Sequence, residues 1–244
     1  MNSLSTTEEK QAFGYAMNEA KKAWFNALDD YKASSETIGL PHPAVMLTDK
    51  HINDCTLLPN RLSILERMSK GGIVAEVGVQ TGQFSQIILD ICSPAELHLI
   101  DLDLKAFGIK DKFQEKINTD IVHLLEGDSS TLLQESFPEN YFDFIYIDGD
   151  HRYEGVKRDI EAAKSKLKPG GYLLFNDYTY WSPVECMAYG VMQAVNELCL
   201  EEDWQMRYFA LAHYMYCDVA VQKPGVEKLE QTGFLQKIKS MFGR

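Results

Sequence analysis

Apolar residues recur at three- and four-residue intervals near the amino terminus. Phe13, Ala16, Ala20, Trp24, Ala27 and Tyr31 line one side of residues 7–34, which predicts an amphipathic packing helix. Residues 38–60 carry Pro41, Pro43 and Pro59 with no sustained period. They read as a long loop, and such a loop in a compact domain is expected to act as a lid. The pattern then alternates. Helices are predicted near residues 61–69, 83–91, 112–117 and 153–167, and short apolar strands at residues 73–77, 97–100, 121–125, 142–147 and 172–175. That alternation predicts an α/β fold, a parallel sheet with helices on both faces. Lys168-Pro169-Gly170-Gly171 reads as a helix stop and turn. A helix near residues 183–200 precedes two runs, 204–211 and 214–222, which read as an antiparallel hairpin around Ala212 and His213.

The final segment, residues 226–244, places Phe234, Leu235, Ile238, Met241 and Phe242 on one side and Lys237, Lys239 and Arg244 among its polar positions. It is expected to dock on a partner surface or on a second subunit in a homo-oligomer. Membrane-surface attachment is the alternative for so short an apolar face. The organisation expected is an N-terminal helix and lid over residues 1–60, a main domain over 61–222, and a C-terminal amphipathic helix over 223–244.

Composition narrows the class. A chain of 244 residues with 45% hydrophobic content can bury one full core. No run approaches the roughly 18 apolar residues of a membrane span, and the amino terminus is polar, unlike a secretion signal. A cytoplasmic location is expected. Cys55, Cys92, Cys186, Cys199 and Cys217 lack zinc or dithiol spacing and are expected to be reduced, mostly core residues. A net charge of −12 opposes nucleic-acid binding.

In Glu76-Val-Gly78-Val-Gln-Thr-Gly82, two glycines lie between a predicted strand and a predicted helix, where a backbone without side chains can pass close to a ligand. The spacing departs from G-x-G-x-x-G, and Glu76 adds negative charge. The loop therefore suits a ligand with a cationic centre and no phosphate, such as S-adenosylmethionine (SAM). The next strand ends at Asp101, a carboxylate able to accept from both ribose hydroxyls. Asp128, before Ser129, either accepts from an adenine amino group or caps the following helix.

These motifs, in this order over residues 61–222, resemble the class I SAM-dependent methyltransferases. Within that class, Ile147-Asp148-Gly149-Asp150-His151 and Asn176-Asp177-Tyr178 resemble the branch of the macrocin, cephalosporin-cluster and mycinamicin O-methyltransferases. Catechol O-methyltransferase is a more distant relative. The resemblance implies that Glu76, Gly78, Gly82 and Asp101 contact the cofactor, with Asp128 and Ser129 near the adenine. It also implies a Rossmann-like seven-stranded sheet in the order 3-2-1-4-5-7-6, the last strand antiparallel.

Asp148 follows one strand and Asn176-Asp177 the next. Adjacent strands lie about 4.8 Å apart, so three oxygen ligands can converge on a hard divalent cation, Mg²⁺ above all. Such a cation lowers the pKa of an acceptor hydroxyl. His151 opens a helix whose positive end favours a neutral imidazole, and in the mycinamicin-type relatives the histidine at this spacing is the proposed base. Asp150, His151 and Asp177 could instead cap helices. Asn176 departs from the family, where two consecutive acids are usual, and so weakens the metal set. His213 reads as an exposed turn residue, and Tyr178, Tyr180 and Trp181 as either an aromatic wall or core. The expected function is SAM-dependent methyl transfer to a hydroxyl of a small molecule or carbohydrate. The alternatives are a SAM-binding protein without catalysis and a metal-independent methyltransferase.

Overall fold

The computed structural model describes residues 6–34, 45–108, 110–185 and 187–225. The predicted C-terminal helix, Cys186 and residues 38–44 of the predicted loop lie outside them. The chain divides into two compact units, residues 1–43 and 44–244. In the first, α1 spans Thr7–Ser34 with Glu8 and Glu9 in its opening turn, where acidic groups complement the helix dipole.

The second unit contains, in chain order, α2 (Asp49–Ile52), β1 (Thr56–Leu58), α3 (Leu62–Leu65), β2 (Ile73–Val77), α4 (Gln83–Cys92), β3 (Glu96–Asp101), α5 (Lys110–Asn118), β4 (Val122–Glu126), α6 (Ser129–Ser136), β5 (Phe142–Ile147), α7 (Tyr153–Lys164), β6 (Leu167–Phe175), β7 (Trp181–Ser182), β8 (Met187–Ala188), α8 (Val191–Glu202), β9 (Gln205–Ala210) and β10 (Asp218–Gln222). The main sheet runs β1-β9-β10-β6-β5-β2-β3-β4. Its strands pair in parallel except β10, which is antiparallel to both β6 and β9.

Side-chain alternation along the central strands divides the core in two. Ala75, Val77, Ile145 and Ile147 pack with Val156 and Ile160 of α7 on one face. Val74, Phe144 and Tyr146 pack with Leu65 and Ile88 on the other. The central strands are therefore buried on both sides, which explains their continuous apolar runs.

The expected elements need three corrections. Among the described residues the sheet has eight strands rather than seven, because Thr56–Leu58, inside the expected loop, pairs with Tyr208–Ala210. This strand covers a backbone edge that would otherwise be open. Lys168-Pro169-Gly170-Gly171 is not a turn before a strand. It lies within β6 as a bulge, since Phe142 pairs with Leu167 and Phe144 with Tyr172, and Gly170 supplies the positive φ of +77°. The helix expected near residues 183–200 begins only at Val191, after the short β7–β8 hairpin.

Candidate active site

The carboxyl ends of β2, β3 and β5, with the turn after β4, open on a cavity of about 750 Å³. Among the residues lining it are Arg61, Glu76, Gly78, Asp101, Asp128, Ser129, Asp148, His151 and Asp159. Ligands of open α/β sheets bind at this edge, and the volume suits a small organic molecule.

The glycine loop is built as much by its own backbone as for a ligand. Gly78 has φ +85°, and a Cβ there would meet the Asp148 carbonyl oxygen at 2.0 Å, so the missing side chain lets the end of β2 pass the end of β5. Gly82 caps α4 with φ +79°. It is absent from the cavity lining, whereas its neighbours Thr81 and Gln83 belong to it. Asp101 Oδ2 accepts from the Val79 and Gln80 amides at 2.8 and 2.9 Å, tying the loop to β3.

Glu76 is buried and accepts a short hydrogen bond from Ser85 Oγ. Burial pushes its carboxyl up to about 8. Asp128 caps α6, its Oδ1 accepting from the Thr131 amide at 2.9 Å and from the Ser130 and Thr131 hydroxyls at 2.7 and 2.9 Å. These bonds hold its carboxyl below the usual range. Ser129 Oγ donates to Asp159 Oδ1 at 2.6 Å. Burial raises Asp159 to about 6.

A second cluster lies where β5 and β6 end. His151 Nε2 stands 3.5 Å from Asp148 Oδ1 and 3.7 Å from Asp177 Oδ2. Its ring stacks on Tyr189 at 4.6 Å and 12°, and its carbonyl accepts from the Gly190 amide at 2.8 Å. The cap of α7 is Arg152, not His151. Asp150 Oδ1 instead accepts from the amide and Nε of Arg152 at 3.0 and 2.9 Å. Asp177 has φ +54° and leads into a loop and the β7–β8 hairpin, so it caps no helix. Burial and the charges of Asp177 and Asp218 push Asp148 well above the usual carboxylate range. Burial also raises Asp177, against the pull of His151.

Asn176 lies among these groups, 7% exposed. In its better hydrogen-bonded orientation, Nδ2 donates to Asp177 Oδ1 and Oδ2 at 2.9 and 3.1 Å and to Asp148 Oδ1 at 3.0 Å, while Oδ1 accepts from Tyr146 and Arg61 at 3.2 Å each. In the opposite orientation, Nδ2 donates to Asp218 Oδ1 at 3.4 Å and the amide oxygen faces the two carboxylates. Only that second arrangement gives three oxygens suited to a hard cation, so the residues fit Mg²⁺ in one state of Asn176.

Three residues here escaped the motif reading. Arg61 lies over the Phe84 ring at 4.3 Å and reaches Tyr146 Oη at 3.4 Å. Asp218, on β10, accepts from Tyr146 Oη at 2.8 Å and is raised by burial to about 7. Asp159 is the third. Arg61 precedes the first motif and Asp218 follows the last, so local spacing carries no signal for either. His213 opens an exposed 3₁₀ turn. Tyr178 is core, its hydroxyl donating to Asn196 Oδ1 at 2.5 Å.

Residues 75–178 match a family model described as a methyltransferase domain. A 61-residue stretch is 39% identical to an uncharacterised protein of Acanthamoeba polyphaga mimivirus, covering 24% of this chain and 25% of that protein. The chain thus matches about a quarter of that relative's length. Among solved structures, a SAM-dependent methyltransferase from Aquifex aeolicus superposes with a TM-score of 0.51 at 16% identity, over 66% of this chain and 87% of that one. An O-methyltransferase family protein from Burkholderia thailandensis superposes at 0.51 and 11% identity, over 68% and 55%. The cyclase SpnF superposes at 0.52 and 13%, over 67% and 80%. Residues 75–178 therefore match a methyltransferase domain, and the chain that carries them has the mostly parallel α/β fold of SAM-dependent methyltransferases.

Proposed function

We propose that the protein transfers the methyl group of SAM to a hydroxyl of a small molecule or carbohydrate, with His151 as the base. Asp148, Asn176 and Asp177 would hold a divalent cation, Mg²⁺ by the chemistry of the donors. The observation that carries this reading is the position of His151 Nε2 between Asp148 and Asp177, with Asp148 and His151 on the wall of the cavity that Glu76 and Asp101 also line.

Bound SAM would supply an electrophilic methyl on a sulfonium. Asp101 would supply a charged hydrogen-bond acceptor toward the cofactor and Glu76 a buried carboxyl, and Asp128 keeps an oxygen beyond the one that caps α6. His151, held by its stack on Tyr189, would take the acceptor's proton at Nε2. The carboxylates of Asp148 and Asp177 stabilise the imidazolium that results. A cation between Asp148 and Asp177 would lower the acceptor's pKa.

Asn176 supports a second reading, a metal-independent transfer, because its amide nitrogen satisfies both carboxylates where a cation would sit. Turnover measured against free Mg²⁺, with and without EDTA, separates the two. Loss of turnover in EDTA and its return with Mg²⁺ support the cation, and undiminished turnover in EDTA removes it. Isothermal calorimetry with S-adenosylhomocysteine tests the shared premise, and no binding would remove both readings.

A further inference from the structure

Away from the cavity, toward the amino ends of β3 and β4, the parallel register sets His98 opposite His123. Glu96, two residues before His98, lies on the same face of the sheet. Glu96 Oε2 is 3.1 Å from His98 Nε2 and also accepts from Tyr141 Oη at 2.6 Å. The two imidazoles stack at 4.6 Å and 14°. One ligand atom from each of Glu96, His98 and His123 can be chosen so that all three lie within 4.8 Å of one another.

Two further features separate this cluster from ordinary packing. His123 Nε2 is shielded from solvent and has no hydrogen-bond partner, and a buried nitrogen of that kind is uncommon enough to call for a ligand. His98 is 6% exposed and is boxed by Phe137, Tyr141 and Phe142 at 4.9 to 5.8 Å. That apolar wall would shield a bound ion on one side, while half-buried Glu96 and His123 leave an approach on the other.

We propose that Glu96, His98 and His123 form a divalent-cation site, independent of the methyl-transfer reading, with Zn²⁺ as the best-matched ion. Two imidazoles and one carboxylate are borderline donors that favour zinc over magnesium, and a water completes four-coordination. Metal–ligand bonds of about 2.1 Å place tetrahedral donors about 3.4 Å apart. The donors, within 4.8 Å of one another, would have to draw closer to reach that spacing. Tyr141 orients the carboxylate through its hydroxyl, as outer partners of metal ligands do. Because β4 is an edge strand, the bound ion would clip that edge to β3.

The test is calorimetric titration of Zn²⁺ into the full chain after dialysis against EDTA, with Mg²⁺ in excess, together with Co²⁺ absorption and thermal melts. One zinc ion per chain and a higher Tm are expected. Glu96→Gln and His123→Gln should each weaken zinc at least about tenfold, with metal-free melts reporting their folding. The partly exposed Glu96 position decides the matter if His123→Gln fails to fold. The Asp148→Asn/His151→Gln double variant should bind zinc as the native chain does. The site is overturned if the native chain binds no zinc, if folded Glu96→Gln binds it unchanged, or if the double variant abolishes binding.

Discussion

Glu76 sits at the centre of the sheet, where its register neighbours are Leu99 and Tyr146, and its carboxyl is raised from 4.5 to about 8 by burial. Below about pH 4.5 it is protonated in the folded and the unfolded chain alike. Between 4.5 and about 8 only the folded chain keeps the proton, so its contribution to stability falls as pH rises. The full span is worth on the order of 5 kcal/mol. Glu76→Gln should therefore unfold at higher urea than the native protein at pH 8, with the gap closing toward pH 5. A gap that does not change with pH would show that Glu76 ionises freely. At Asp101, the carboxylate that ties Val79 and Gln80 to β3 is also the acceptor proposed for the ribose. Asp101→Ala should weaken SAM at least tenfold by calorimetry, the cost of about 1.5–3 kcal/mol for hydrogen bonds to a charged group. Unchanged affinity would leave Asp101 as a loop anchor alone.

At the scale of elements, Asp128 caps one helix start. Its Oδ1 takes three bonds from the first turn of α6, as its place before Ser129 allows. Asp128→Ala should cost about 1 kcal/mol of stability in urea unfolding, as lost N-caps do, and Asp128→Asn far less. A tenfold weaker SAM affinity in the well-capped Asn variant would give Asp128 a cofactor role beyond the cap, and an unchanged affinity would make it a cap alone. Strands such as Ile73–Val77 and Phe142–Ile147 were legible because both faces are buried and the apolar run is continuous. The strand Thr56–Leu58 was not, because three residues with only Leu58 buried carry no period. Leu167–Phe175 was misread at its start because Pro and two glycines mimic a turn. Their actual effect is a bulge that leaves Gly170 in left-handed backbone.

At the scale of the molecule, carboxylates gather where the strands end. Glu76, Asp148, Asp159, Asp177 and Asp218 are all raised mainly by burial, with Arg61 as a cation among them. That burial favours their neutral forms, so the cavity's negative charge rests on groups such as Asp128, whose hydrogen bonds hold its carboxyl below the usual range. The placement of Asp101, Asp148, His151 and Asp177 at the sheet's carboxyl edge was legible because each lies at or just after a strand end that can be read locally. Arg61, Asp218 and the pair His98 and His123 come together only through pairing of distant segments, which no local pattern records. The most direct measurement of the central claim is mass spectrometry of hydroxyl-bearing acceptors incubated with methyl-labelled SAM and either native protein or His151→Ala. The account predicts label on an ether oxygen with the native chain, and a rate lower by about 10²–10⁴ in a His151 variant that still binds the cofactor. Label on nitrogen or carbon, or full transfer by His151→Ala, would contradict it.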